Sequence, residues 1–112
     1  ASYYVQSLRL RRVQRREFTT LASKWDILLT PTTHTSAPKD LTTTGDPMFQ
    51  SPWTTTGLPT ITIPSGLGKT TGLPLGIQLA TTPFSEKRLL AVAYWCEQVL
   101  GIQLIPPSST PE

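Results

Sequence analysis

The chain has 112 residues, 38% of them hydrophobic and only 15% charged, with a formal net charge of +3 and a single cysteine. That length holds at most one ordinary domain, and 11 prolines with 7 glycines argue against a helical bundle or coiled coil. One cysteine excludes an internal disulfide framework, no apolar run approaches the roughly 18–20 residues of a bilayer span, and the start lacks a charged-then-apolar leader pattern, so a reducing, cytoplasmic setting without a membrane partner is expected.

Residues 2–22 read as a helix that is already under way at Ala1, which suggests a piece of a longer chain. Tyr3, Leu10, Phe18 and Leu21 fall near one side at 100° per residue, and Arg9, Arg12, Arg15 and Arg16 gather on another. The basic run could be a nucleic-acid patch, but no DNA- or RNA-binding motif accompanies it. It is read as a solvated face, or one paired with acidic groups elsewhere, and no nucleic-acid partner is expected.

In "WDILLTPT" the continuous run Ile27, Leu28 and Leu29, closed by Pro31, fits a strand covered on both faces. Residues 32–56, rich in Thr, Pro and Gly, read mostly as loop, with His34 a lone surface histidine. "PTITIPSG" and "GLPLGIQLA" read as two strands joined by "LGKTTG". Ile61 and Ile63 share one face of the first strand; Leu75, Ile77 and Leu79 share one face of the second. Gly76 permits a close backbone approach. The last helix has Ser85 as N-cap, a hydrophobic staple between Phe84 and Leu89, an apolar stripe of Leu89, Ala93, Cys96 and Leu100, and Gly101 as left-handed stop. Cys96 lies on that stripe as a packing residue. Residues 105–112 read as a flexible Pro/Ser/Thr tail.

"PSGLGKT" behind a strand invites a phosphate-binding reading. The full motif would need glycine at position 63, which is Ile63, and a P-loop must open into a helix whose amides hold the anion. Here Gly72, Pro74 and Gly76 follow, which oppose helix propagation, so the segment reads as a turn with Lys69 in solvent. No cofactor or metal site is expected.

The stretch "TGDPMFQSPWTTTGLPTITIPSG…GLPLGIQLA" resembles the C-terminal part of the amidase signature family. Two Gly-Leu-Pro motifs, a β run ending in Pro-x-Gly, and a final Gly-x-Gln-Leu carry the likeness. An Arg-containing helix before "WDILLTPT" and the helix "SEKRLLAVAYWCEQVL" after it agree in order, so that the resemblance covers about residues 3–100. It implies an α/β class, as the C-terminal segment of an α/β/α fold around a mixed central sheet, with residues 1–104 as part of the amidase domain. It also implies amide hydrolysis through a Ser-Ser-Lys acyl-enzyme. The family's Gly/Ser-rich loop is absent here. The Ser108-Ser109 pair lies between prolines and threonine, and Lys24, Lys39, Lys69 and Lys87 have no matching context. No catalytic residue is therefore carried over. The resemblance makes Asp46, Trp53 and Thr54 candidate substrate-pocket residues, with Thr54 standing where relatives have asparagine. Read from the residues alone, Asp46 could close a turn and Trp53 pack on the sheet. The expected partners are a small-molecule amide substrate and, as a second candidate, another copy of the chain in a homo-oligomer. A non-catalytic structural module built on the same scaffold is the competing expectation.

Overall fold

A computed structural model describes residues 1–107. In chain order it contains α1 (Ser2–Ser23), β1 (Leu28–Pro31), α2 (Ser51–Thr56), β2 (Thr60–Leu67), β3 (Pro74–Ala80) and α3 (Glu86–Leu100). The three strands form one sheet in the order β1-β3-β2, and both pairings are antiparallel.

The register divides the sheet chemically. Leu28, Thr30, Thr60, Thr62, Gly76, Gln78 and Ala80 pair across one face, while Leu29, Pro31, Ile61, Ile63, Ile77 and Leu79 occupy the other. On the second face α3 closes the main core, where Leu89 and Ala93 bury against Ile63 and Leu79, with Ile27, Ile61, Ile77, Val92 and Cys96 at its margin. The first face is largely polar. At one end of it α1 and α2 pack through Ala22, Trp53, Leu58 and Ala80, flanked by Phe18 and Leu28. The result is a three-layer α/β/α arrangement with an apolar lower side and a hydroxyl- and amide-rich upper side.

The apolar alternation of β2 and β3 and the packing role of Cys96 are as the sequence indicates. Gly101 ends α3 with φ of 60°, its N–H donating to Glu97 O at 2.9 Å. Gly76 is also required sterically: a Cβ there would sit 2.8 Å from Thr62 Cγ2 and 3.0 Å from Thr32 Oγ1.

Other expectations are corrected at least in part. The 32–56 segment is loop over residues 32–50, as expected, but ends in a helix, α2, which begins next to Pro52 and stops at Gly57 (φ 71°), whose N–H donates to Trp53 O at 2.7 Å. A proline inside the start and a glycine past the end carry the helix signal that the intervening threonines obscure. β1 is an edge strand with Leu29 exposed, because α3 covers β2 and β3 rather than β1. In α1, Phe18 packs inward against Trp53, but Tyr3, Leu10 and Leu21 are exposed, so the expected apolar side is covered only in part among the described residues. The staple does not form, because Phe84 adopts φ of 62° and turns its ring into solvent. Ser85 makes no side-chain cap bond, its hydroxyl pairing with Thr82 Oγ1 at 2.8 Å.

Pro64 does not end β2. The strand runs on to Leu67 across a bulge between Pro64 and Gly66, the latter at φ 139°. "GKTTG" then forms a hairpin turn, Gly72 N–H donating to Gly68 O and Gly68 N–H to Leu73 O, both at 2.8 Å. No helix follows it and Lys69 is exposed, so the phosphate-binding reading is excluded by the fold. Of the proposed tail, residues 105–107 have no regular structure, and Ser108 and Ser109 lie outside the described residues.

Candidate functional site

The polar face of the sheet opens into two clefts. The larger, about 560 Å³, is floored by Thr32, Thr62 and Gly76 and walled by the 33–38 and 44–47 loops, Gln50 and Leu104. Asp46 and His34 line it, the only side chains among the described residues there that can carry charge. The smaller, about 360 Å³, is lined by Gln50, Trp53, Thr54, Leu58, Thr60 and Gln78. The two clefts meet at Gln50.

The loop geometry behind the larger cleft is set by short bonds from the sheet. Thr32 N–H donates to Gly76 O at 3.1 Å, and Thr32 Oγ1 to Thr62 Oγ1 at 3.2 Å. Thr71 Oγ1 donates to Ser36 Oγ at 3.0 Å, which ties the 33–38 loop to the hairpin turn. On the other side, buried Gln78 donates from Nε2 to Phe49 O at 2.9 Å and to Thr30 Oγ1 at 3.3 Å. Phe49 in turn stacks on His34, with ring centroids 6.3 Å apart and planes 27° off parallel. One buried carboxamide thus holds the segment leading into α2, and that segment supports the histidine.

Asp46, Trp53 and Thr54 are not brought to a single point. Asp46 is exposed on the wall of the larger cleft, where Oδ1 accepts the Met48 N–H at 3.0 Å in a local turn. Trp53 is 7% exposed, makes an edge-to-face contact with Phe18 at 5.6 Å, and leaves its Nε1–H without a partner. Thr54 is exposed one position further along α2, beside Trp53 on the smaller cleft. Its carbonyl and that of Thr55 accept Arg11 Nη2 and Nε, so one arginine of the basic run caps the C-terminal end of α2. Sequence reasoning does not reach Gln50 or Gln78, and it places His34 on the surface without a role. The available signal is Gln78 itself, a polar side chain at period two from the neighbours of Ile77 and Leu79 in a buried strand.

Fold and clefts together define an α/β segment with two polar-edged clefts on one face of its sheet. The Amidase family model matches residues 1–90, and the chain belongs to the amidase family. It is similar to a glutamyl-tRNA(Gln) amidotransferase subunit of Moorella thermoacetica, at 40% identity over 87% of this chain and 21% of that protein. The subunit of the same name from Prochlorococcus marinus is 37% identical over 97% of this chain and 24% of its own. A crystal structure of the Thermotoga maritima counterpart superposes with a TM-score of 0.69 at 27% identity, covering 87% of this chain and 22% of that one. The chain therefore spans about a fifth of the length of the relatives it matches. No helix among the described residues is long and apolar enough to cross a membrane.

Proposed function

We propose that this chain is the C-terminal structural and pocket-wall portion of an enzyme that hydrolyses carboxylic amides to acid plus ammonia or amine. The observation that carries the reading is the larger cleft, a polar-edged pocket on the sheet face opposite α3, in a chain of the amidase family. The nucleophilic serine, the bridging serine and the lysine belong to the remainder of the parent protein. There the lysine takes the nucleophile's proton through the bridging serine, the serine oxygen attacks the amide carbon, and the amine leaves with a proton returned along the same path. Water then cleaves the acyl-enzyme. In this scheme Asp46, Trp53 and Thr54 hold the substrate, and Asp46 gives the cleft its one carboxylate, suited to an N–H or cationic group.

The names of the relatives support a second form of the same chemistry, in which the parent is one component of an amidotransferase and works with protein partners. A second copy of the chain is a further candidate partner.

The test is a chimera in which this chain replaces the matching segment of the Moorella relative. The isolated 112-residue chain is expected to hydrolyse no amide. The chimera is expected to release ammonia from those carboxylic amides, in a panel of them, that the unaltered relative cleaves. Asp46→Asn in the chimera should raise KM about tenfold, the loss of one charge-assisted hydrogen bond, with a smaller effect on kcat. Robust hydrolysis by the chain alone would sink the proposal. A folded but inactive chimera would favour the non-catalytic scaffold.

A further inference from the structure

We infer that the outward face of α3 is the surface through which two copies of this chain pair, antiparallel, about a two-fold axis between Val92 and Ala93. The surface lies on the side of the sheet opposite the clefts, and the pairing holds whether or not the parent protein hydrolyses amides.

At about 100° per residue, α3 divides into two sides. Leu89, Ala93 and Cys96 turn toward the sheet, with Val92 beside them. On the far side Lys87, Ala91, Tyr94 and Gln98 fall on one line, at the alternating four- and three-residue steps along which one helix meets another in a seam. All four are exposed. Leu90 and Trp95 flank the line on either side, and with Tyr94 they are 59%, 63% and 65% exposed. α3 is the outer layer on its side of the sheet, so this line points away from the stacked layers of the fold. Polar and charged residues ordinarily cover such a face; here aromatic and aliphatic ones hold its middle.

Three features make a second copy the occupant. The first is shape. A two-fold axis between Val92 and Ala93 sets Ala91 of each copy against Tyr94 of the other, small against large, with Leu90 meeting Leu90 on one flank and Trp95 meeting Trp95 on the other. The second is charge. The same axis brings Glu97 of one copy within about 1.5 Å, along the helix, of Lys87 of the other. Both are exposed, and among the described residues neither forms an ion pair, the one salt bridge being Arg88–Asp26. The third is the helix dipole. Glu86 apart, α3 carries its cations, Lys87 and Arg88, near its start and Glu97 near its end, with no basic residue in the last turn. That order opposes the dipole of the helix itself and suits an antiparallel neighbour, whose C-terminal end lies beside the cations. The axis closes the contact on itself, so assembly stops at two copies.

Sedimentation equilibrium of the 112-residue chain tests the pairing. One helix pair about 22 Å long falls short of the roughly 1,200–2,000 Å² of a tight interface, so a reversible monomer–dimer equilibrium with Kd of about 10–100 μM is expected. Ala91→Glu puts a carboxylate against Tyr94 of the other copy and should weaken the dimer at least about tenfold. Leu10→Glu, on the exposed side of α1, should leave Kd unchanged within about twofold. The decisive set is a charge exchange. Lys87→Glu and Glu97→Lys each create two like-charge contacts per dimer and should each weaken it about three- to fivefold, whereas the double variant should return Kd to within about twofold of the original. Each of these two substitutions suits the helix dipole better than the residue it replaces, so the helix content read by circular dichroism should hold or rise and unfolding cannot mimic the loss. A chain that stays monomeric, masses that climb past the dimer, or a double variant no tighter than the single ones would overturn the inference. Equal losses in Leu10→Glu and Ala91→Glu would overturn it as well, since association would then run through apolar surface at large.

Discussion

At the scale of single residues, the site depends on one missing side chain. Gly76 lies on the cleft floor with Thr62 and Thr32 closed in on either side, and a methyl group there meets Thr62 Cγ2 at 2.8 Å and Ile63 O at 3.3 Å. Both hydroxyl-bearing neighbours are stiff at χ1 and held by the backbone pairing of the sheet, so the clash is relieved only by moving the sheet. Gly76→Ala should cost about 1–3 kcal/mol in chemical denaturation. Thr62→Ser in the same chain deletes the clashing methyl while retaining the oxygen that Thr32 Oγ1 donates to, and should recover most of the loss. No recovery would mean that the strain lies elsewhere. A second residue-scale feature responds to pH. The carboxyl of Asp40 is held below its ordinary value by the Thr42 N–H, at 2.8 Å, and then by the Thr42 hydroxyl, at 2.7 Å. A lowered folded-state pKa means that the support this carboxylate gives its turn is present above the unfolded Asp value and lost as pH falls through the folded one. A carbon-13 titration of the carboxyl should therefore find Asp40 below the Asp reference, and Asp40→Asn should abolish the acid-dependent shift of the Thr42 amide.

At the scale of elements, α2 shows how a short helix is held by neighbours rather than by propensity. It has 6 residues, half of them threonine, and no side-chain N-cap bond. What holds it is the αL stop at Gly57, the Phe18–Trp53 ring pair, the Gln78–Phe49 bond at its approach, and the Arg11 guanidinium on its last carbonyls. Apart from the stop, these contacts bridge 29 to 44 positions of sequence, which explains why the segment reads as loop from its own residues. The strands and α3 are legible because their signals are local: period-two isoleucines and leucines, a helical apolar stripe, and a glycine stop. The clefts are legible only in part. Asp46, Trp53 and Thr54 come from the likeness of "GDPMFQSPWTT" to a known family, whereas Gln78 joins the site through strand register and Gln50 through its place at the start of α2, neither of which a window of sequence contains. Arg11 gives the element-scale test. Arg11→Ala should loosen the end of α2 by about 1 kcal/mol, a figure kept low because the side chain is exposed, and hydrogen exchange at the Gly57 amide should quicken about fivefold. Arg11→Lys should restore little of it, since a single ammonium cannot replace a fork that reaches two carbonyls. Full protection in Arg11→Lys would show that charge alone suffices.

At the scale of the whole molecule, the chain is a slab rather than a ball. The radius of gyration is 17.1 Å, where a self-contained chain of this length gives about 13 Å. The accessible surface is 8840 Å², against roughly 6100 Å² for a folded monomer of this mass. The excess is apolar in two places. On α1, Tyr3, Tyr4, Leu8, Leu10 and Val13 are exposed along a helix about 33 Å long, and on α3 the outer positions Leu90, Tyr94, Trp95 and Val99 are exposed. The core under α3 and the cluster under α2 are small, with four buried apolar residues each, so the sheet has little interior of its own to resist opening. The isolated chain should therefore unfold over a broad range with a low calorimetric enthalpy and associate as its concentration rises. Sedimentation velocity across a hundredfold dilution, paired with scanning calorimetry, checks both. A strictly monomeric species with a sharp, two-state transition near the roughly 0.7 kcal/mol per residue of ordinary domains would instead identify a free-standing module, because only a chain that satisfies its own apolar faces can melt cooperatively at that enthalpy.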